Sequence, residues 1–155
     1  LTESAAICLY LADRYGLGSS AEEVGSINRG KIYQWCLFAM TELDAHTLYT
    51  LAKHGGKYTK IYGESEVATK TAKEGFETQI LKLENKLKSG KEYLVDNTFS
   101  VADILMGTCI LFALNLELAN PLEVPTNCTR YFNDLKEREG FKKASELNYP
   151  RTVPE

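Results

Sequence analysis

Cysteine and histidine are the residue types in this sequence best suited to act as nucleophiles or metal ligands. The four cysteines are widely separated, contain no Cys-x-x-Cys pair and fall mostly within apolar helical patterns: Cys8, Cys36, Cys109 and Cys128. A free cysteine in such a pattern behaves as a small apolar side chain. His46 and His54 show no ligand spacing with each other or with a cysteine. The spacing therefore predicts buried, reduced thiols and neither a metal site nor a disulfide.

A serine and an aspartate three residues apart, Ser100 and Asp103, stand at the start of the most apolar run of the chain. Ser100 is predicted to cap a helix, and the Asp103 carboxylate can reach back to the N–H of Ser100, which forms a capping box. Phe99 and Ile104 occupy the two positions of a hydrophobic staple around it. A catalytic base is the alternative role for Asp103, but capping already accounts for its position.

Length and composition are those of one globular domain. The chain has 155 residues, of which 44% are hydrophobic and 25% are charged, and its net charge is -3. A weakly acidic chain has no general attraction for a polyanion, which argues against a nucleic-acid partner. The longest apolar run, residues 104–114, is about half of the ~20 residues that cross a bilayer, so no membrane partner is expected. Without a recognisable signal peptide, we expect a cytoplasmic location.

The spacing of apolar residues predicts helices along most of the chain and no pair of strands. The predicted helices cover residues 2–15, 24–53, 64–88, 100–116, 127–139 and 141–147. Thr2 is expected to cap the first of them, and Gly16 to end it. Glu84 and Lys88 have the favourable order for an ion pair along one helix. The chain is therefore predicted to be an all-α, bundle-like domain.

The helix predicted over residues 24–53 is apolar on more than one side. Tyr33, Leu37, Met40 and Tyr49 extend its apolar surface beyond a single stripe. Such a helix packs against the core and also against either a partner subunit or a ligand.

Two blocks of the sequence resemble the cytosolic glutathione transferase family. Residues 1–15, LTESAAICLYLADRY, are similar to the last helix of that family's thioredoxin-like N-terminal domain. Residues 99–104, FSVADI, resemble the capping box of its all-α C-terminal domain, and residues 38–45 are similar to bacterial members. The resemblance implies that residues 1–16 end a thioredoxin-like domain, that residues 17–23 are a linker and that residues 24–155 form the helical bundle of the C-terminal domain.

The resemblance also implies a glutathione site. In the family, the acidic residue and serine at the start of that helix bind the γ-glutamyl end of glutathione, and here they are Glu3 and Ser4. A helix N-terminus offers free N–H groups and partial positive charge to a carboxylate, and Glu3 can pair with the α-ammonium group. Glutathione is then a co-substrate, and no cofactor is expected. The family's thiol-activating Tyr, Ser or Cys belongs to the start of the thioredoxin-like domain, so no residue of this sequence is assigned as catalytic.

The second substrate of such an enzyme, a small hydrophobic electrophile, is expected between the two domains. By position, its pocket is lined from the first long helix and the central helix by five residues: Phe38, Thr41, Asp44, Ala45 and Phe112. Asp44 stands out because it is a carboxylate beside an apolar helix face. It is either a contact to glutathione or to a catalytic group, or a solvated helix position.

The function that the resemblance implies is a glutathione transferase acting in detoxification, usually a homodimer, that conjugates or reduces hydrophobic electrophiles. A thiolate stabilised by the site would be the nucleophile. Because fold alone does not settle function, two alternatives stay open. One is a non-catalytic interaction module like the helical domains of translation factors and tRNA synthetase complexes. The other is a disulfide-exchanging or peroxide-reducing relative, which needs an upstream cysteine. The chain alone is expected to be inactive.

Overall fold

The computed structural model describes residues 1–17 and 24–148, and every regular element in these ranges is helical. The elements are α1 Ser4–Tyr15, α2 Ile27–Phe38, a π-helical segment Ala39–Leu48, α3 Tyr49–His54, α4 Thr59–Tyr62, α5 Glu66–Leu87, α6 Val101–Leu114, α7 Thr126–Lys136 and α8 Glu139–Asn148. The all-α prediction is confirmed. Most of the predicted linker and the tail after residue 148 lie outside the described residues. None of the described helices is long and apolar enough to span a membrane.

Helix α6 lies at the centre of the bundle, as its apolar sequence predicts. It packs against α1, α2, the π-helical segment and α7. Nine of its fourteen residues are buried. The largest fully buried side chains of the core include Leu43, Leu48, Phe76, Ile80 and Tyr131. Every long helix therefore contributes its apolar stripe to one core.

The capping box at the start of α6 is confirmed and belongs to a larger buried network. The Ser100 Oγ accepts from the Ala102 N–H at 3.2 Å, and the Asp103 carboxylate accepts from the Ser100 N–H at 2.9 Å. Asp103 also accepts from the Leu94 N–H at 3.0 Å and from the Tyr131 hydroxyl at 2.8 Å. Burial raises the pKa of Asp103, although these donors favour its charged form. The carboxylate thereby joins the 88–100 loop, α6 and α7.

The long helix predicted over residues 24–53 starts later and contains an unpredicted change of register. It begins at Ile27, where the Ser26 Oγ accepts from the Arg29 N–H at 3.2 Å, and it runs without a break to His54. Residues Ala39–Leu48 follow the wider π-helical path. Helix propensity does not encode this wider path. Gly75 allows α5 to approach the segment closely, because a Cβ atom there would lie 3.2 Å from Thr47.

Two further expectations about element ends are wrong. Helix α1 starts at Ser4 and not at Thr2, because the positive φ of Glu3 turns the chain out of the helical path. Gly140 does not end a helix. The helical path is interrupted at residues 137 and 138, between α7 and α8. Gly140 lies in the first turn of α8. The Gly16 C-cap is confirmed, with φ 61° and its N–H donating to the Ala12 carbonyl.

Glu84 of α5 caps α7, and the predicted pair with Lys88 is wrong. Its Oε2 accepts from the N–H groups of Asn127 and Cys128 at 3.0 and 3.1 Å, and its Oε1 accepts from the Asn127 Nδ2 at 2.6 Å. The N-cap residue of α7 is Pro125, which has no side-chain acceptor for these donors. A carboxylate from a neighbouring helix takes over that function.

This contact makes stability depend on pH. Burial alone would raise the pKa of Glu84, but the hydrogen bonds from Asn127 and Cys128 outweigh it and hold the pKa below its ordinary value. The stabilisation is therefore present above the ordinary pKa of about 4.3 and is lost as the pH falls through the folded-state value. We expect Glu84→Gln to lower the free energy of unfolding by about 1 kcal/mol at pH 7, and the difference from wild type to shrink towards pH 3.

Urea unfolding at both pH values measures this difference, with the exposed Glu77→Gln on the same helix as the control. A Glu84→Gln effect that stays constant across the pH range, or that equals the control, contradicts the role assigned to this carboxylate.

Candidate functional site

The N-terminus of α1 is open and strained. Glu3 has φ 67° and ψ 115°, a conformation that costs a non-glycine residue about 1–3 kcal/mol. No side chain caps the helix, and Glu3 and Ser4 are both exposed. The first intrahelical bond runs from the Ile7 N–H to the Glu3 carbonyl at 2.9 Å, so the preceding N–H groups have no partner within the helix. The arrangement offers donors and partial positive charge to an anion.

The bundle fixes the direction of α1. Asp13 of α1 forms a 2.6 Å ion pair with Arg29 of α2, and the Arg29 Nε donates to the Tyr33 hydroxyl at 2.7 Å. Ala12 is buried, and one side of α1 packs against the core. The helix start that carries Glu3 and Ser4 is therefore held in place by the helical domain.

Asp44 is the predicted pocket residue with the most unusual surroundings. It lies half-buried in the π-helical segment, close enough to the buried Cys109 of α6 for its charge to raise the pKa of that thiol. Burial raises the pKa of Asp44 as well. Within residues 1–17 and 24–148, its carboxylate has no hydrogen-bond or ion-pair partner. A half-buried carboxylate of this kind is available to a ligand.

The other four predicted pocket residues do not form one cluster with Asp44. Phe112 is half-buried on α6, one turn after Cys109. Phe38 instead faces α5, because its ring contacts Trp35 at 5.5 Å and Lys82 lies over it at 5.5 Å. Thr41 and Ala45 are exposed on the π-helical segment. The structure thus places Asp44 close to Cys109 of α6 and directs the Phe38 ring towards α5.

None of the four cysteines is poised as a nucleophile. All four are free. Burial raises the pKa of the Cys36, Cys109 and Cys128 thiols to about 12, and it raises the pKa of the half-buried Cys8 as well. Since the thiolate is the reactive form, these surroundings disfavour thiol chemistry. The prediction of buried thiols is confirmed for Cys36, Cys109 and Cys128, whereas Cys8 is only half-buried.

A large apolar groove between α6 and α8 was not predicted. It has a volume of about 990 Å³, and its apolar lining includes Phe99, Ile104, Leu111, Leu135 and Phe141. Arg138 closes one end, with its guanidinium 3.6 Å from the Phe99 ring centre and donating to the Tyr93 hydroxyl at 2.9 Å. The hydrophobic staple was the sequence signal that could have located it, since Phe99 and Ile104 are both in the lining. None of the five predicted pocket residues lines this groove.

The comparisons with known proteins agree with this architecture. The sequence model of the family "Glutathione S-transferase, C-terminal domain" matches residues 38–139, which is more than half of the chain. The chain therefore belongs to the glutathione S-transferase family and contains its all-α C-terminal domain. No curated protein sequence gives a significant match.

Solved structures share the fold at low sequence identity. A beta class glutathione S-transferase from Sphingomonas chungbukensis superposes with a TM-score of 0.73 at 22% identity, covering 95% of this chain and 67% of that chain. A sphingomonad glutathione S-transferase in complex with glutathione gives 0.71 at 22% identity, with the same coverage of 95% and 67%. Ure2p5 from Phanerochaete chrysosporium, cocrystallised with 1-(S-glutathionyl)-2,4-dinitrobenzene, gives 0.77 at 16% identity, covering 99% and 72%.

Proposed function

We propose that this chain is the helical part of a glutathione transferase, in which α1 is the last helix of a thioredoxin-like domain that supplies the thiol-activating residue. Family membership supports the proposal, and so do two structural neighbours that hold glutathione or a glutathione conjugate. The open groove between α6 and α8 supports it too, because an apolar surface of this size is typical of a docking face. We assign that groove to the thioredoxin-like domain.

The observation that carries the proposal is the start of α1. An uncapped N-terminus lies beside a strained Glu3 and an exposed Ser4. Backbone strain that persists at an exposed position is a common feature of ligand sites. The γ-glutamyl carboxylate of glutathione would accept hydrogen bonds from the first N–H groups and from the Ser4 hydroxyl, while the Glu3 carboxylate pairs with the α-ammonium group.

The electrophile would lie where α6 faces the π-helical segment. Asp44 and Phe112 are the best-placed members of the proposed pocket, and Thr41 and Ala45 extend it at the surface. Phe38 is the least well placed, since its ring faces α5. In the reaction, the glutathione thiolate attacks an electrophilic carbon, a sulfur–carbon bond forms, and the leaving group departs with the electron pair. Holding both substrates together supplies the proximity.

Homodimer formation, a cytoplasmic location and a role in detoxification complete the proposal. The exposed Tyr33 and Leu37 along the long helix support a partner subunit. A purely structural interaction module has no use for the strained, anion-receptive start of α1, which favours the enzyme over that alternative.

Fragments of glutathione give a sharp test of the site. If the 155-residue chain contacts only the γ-glutamyl end of glutathione, it should bind γ-glutamylcysteine and glutathione with similar millimolar affinity. Cysteinylglycine, which lacks that end, should not bind measurably. NMR titration measures all three. Binding of cysteinylglycine as tight as that of glutathione contradicts the assignment of α1 to the γ-glutamyl group.

A further inference from the structure

The charge of this chain is unevenly distributed along the sequence, and one helical segment carries lysines without carboxylates. Residues 49–63, called here the tip, comprise α3, the following turn and α4. They contain three lysines and no aspartate or glutamate, although the whole chain has a net charge of -3. Lys57 and Lys60 are exposed. A cavity beside the tip has charges of both signs in its lining: Lys57, Glu64, Glu66, Lys70, Lys73 and Glu117.

Tyrosine rings accompany these lysines. The Lys53 ammonium lies over the rings of Tyr49 and Tyr62, at 4.3 and 4.9 Å from their centres. Lys57 lies 4.9 Å from the ring centre of Tyr58. Tyr49 and Tyr62 are still 42% and 49% exposed. Cation–π contacts thus gather cations and amphipathic rings on one surface.

An exposed aliphatic side chain lies among them. Ile61, on α4 between Lys60 and Tyr62, is 75% exposed. Tyrosine rings favour the boundary between lipid headgroups and acyl chains, lysines are attracted to anionic headgroups, and an exposed aliphatic side chain gains by entering the layer below. A dissolved polyanion offers nothing to Ile61.

We propose that the tip binds the surface of membranes that contain anionic lipids. The association is peripheral and reversible, with Ile61 inserted at the headgroup boundary and Lys57 and Lys60 among the headgroups. Three lysines and one aliphatic anchor produce weak binding. The length of the longest apolar run predicted no membrane partner, but that criterion applies to a segment that spans the bilayer and not to a peripheral surface.

Vesicle co-sedimentation of the 155-residue chain tests the proposal. Vesicles of 30% phosphatidylglycerol in phosphatidylcholine should bind at least about tenfold more protein than pure phosphatidylcholine at 50 mM NaCl. Most of this difference should disappear at 300 mM NaCl, because exposed charges are then screened. The double variant Lys57→Gln/Lys60→Gln and the single variant Ile61→Ser should each reduce binding several-fold.

Two control variants match these changes elsewhere on the surface. Lys88→Gln/Lys91→Gln removes the same charge beyond the far end of α5, and Leu81→Ser removes a side chain that is 51% exposed. Both should bind vesicles like wild type, and thermal melts verify that every variant folds. Equal binding to both vesicle types overturns the proposal, because it would show association that is independent of lipid charge. The apolar groove between α6 and α8 would then be the binding surface. It is also overturned if no vesicle binds, if controls and tip variants lose binding alike, or if duplex DNA binds through the tip and vesicles do not.

Discussion

Replacing Asp103 with alanine is expected to lower the free energy of unfolding by about 3–5 kcal/mol. The carboxylate is fully buried and accepts hydrogen bonds from the N–H groups of Leu94 and Ser100 and from the hydroxyls of Ser100 and Tyr131. The variant leaves several of these donors buried without an acceptor, at a cost of about 1–3 kcal/mol each. It also removes a negative charge from the positive end of α6.

Two neighbouring variants calibrate the measurement. Ser100→Ala removes the cap acceptor and one of the four donors to Asp103, and it should cost about 1 kcal/mol. Tyr131→Phe removes one donor and leaves the carboxylate three others, so it should cost about 1–2 kcal/mol. Urea unfolding gives all three values. An Asp103→Ala cost no greater than that of Ser100→Ala would show that the carboxylate does not organise this junction.

Changing Ser4 to alanine is expected to weaken glutathione binding about tenfold, which corresponds to ~1.4 kcal/mol. The hydroxyl would donate to the γ-glutamyl carboxylate, and hydrogen bonds to charged groups are the stronger kind. Glu3→Gln should weaken binding as well, because an amide pairs poorly with the α-ammonium group. Neither change should lower the melting temperature, since both side chains are exposed and neither caps α1.

Thr2→Ala is the matched control for this pair. Thr2 is exposed, adjacent in sequence and outside the proposed site. Its affinity for glutathione should equal that of wild type in the same NMR titration. If Ser4→Ala and Thr2→Ala behave alike, the Ser4 hydroxyl does not contact glutathione.

Sequence periodicity predicts the fold well where local chemistry decides it. The apolar run after Ser100 can only be a central helix, and Gly16 and the capping box mark ends that local hydrogen bonding fixes. The π-helical segment could not be predicted in this way, because helix propensity does not distinguish its wider register from an ordinary α-helix. The capping of α7 by Glu84 could not be predicted in this way either, since the donors that Glu84 satisfies lie more than forty residues further along the chain.

The sequence likewise predicts some features of the candidate site and misses others. The assignment of Glu3 and Ser4 as site residues comes from the resemblance of residues 1–15. The strained backbone of Glu3 cannot be predicted from its residue type. Asp44 follows from its place beside an apolar helix face. The turn of Phe38 towards α5 does not, because helical spacing alone cannot say which neighbour each side of a helix meets. The groove between α6 and α8 depends on the break at residues 137 and 138, where helix propensity predicts continuity.

Chemical-shift mapping of glutathione on the ¹⁵N-labelled 155-residue chain tests the central claim most directly. The account predicts that the largest shifts fall on the backbone N–H groups of Ser4, Ala5 and Ala6, with millimolar affinity. It also predicts that Ser4→Ala reduces these shifts, while the signals of the tip stay in place. Shifts concentrated in the groove between α6 and α8, or no shifts at all up to tens of millimolar glutathione, would contradict the assignment of the α1 N-terminus as the glutathione site.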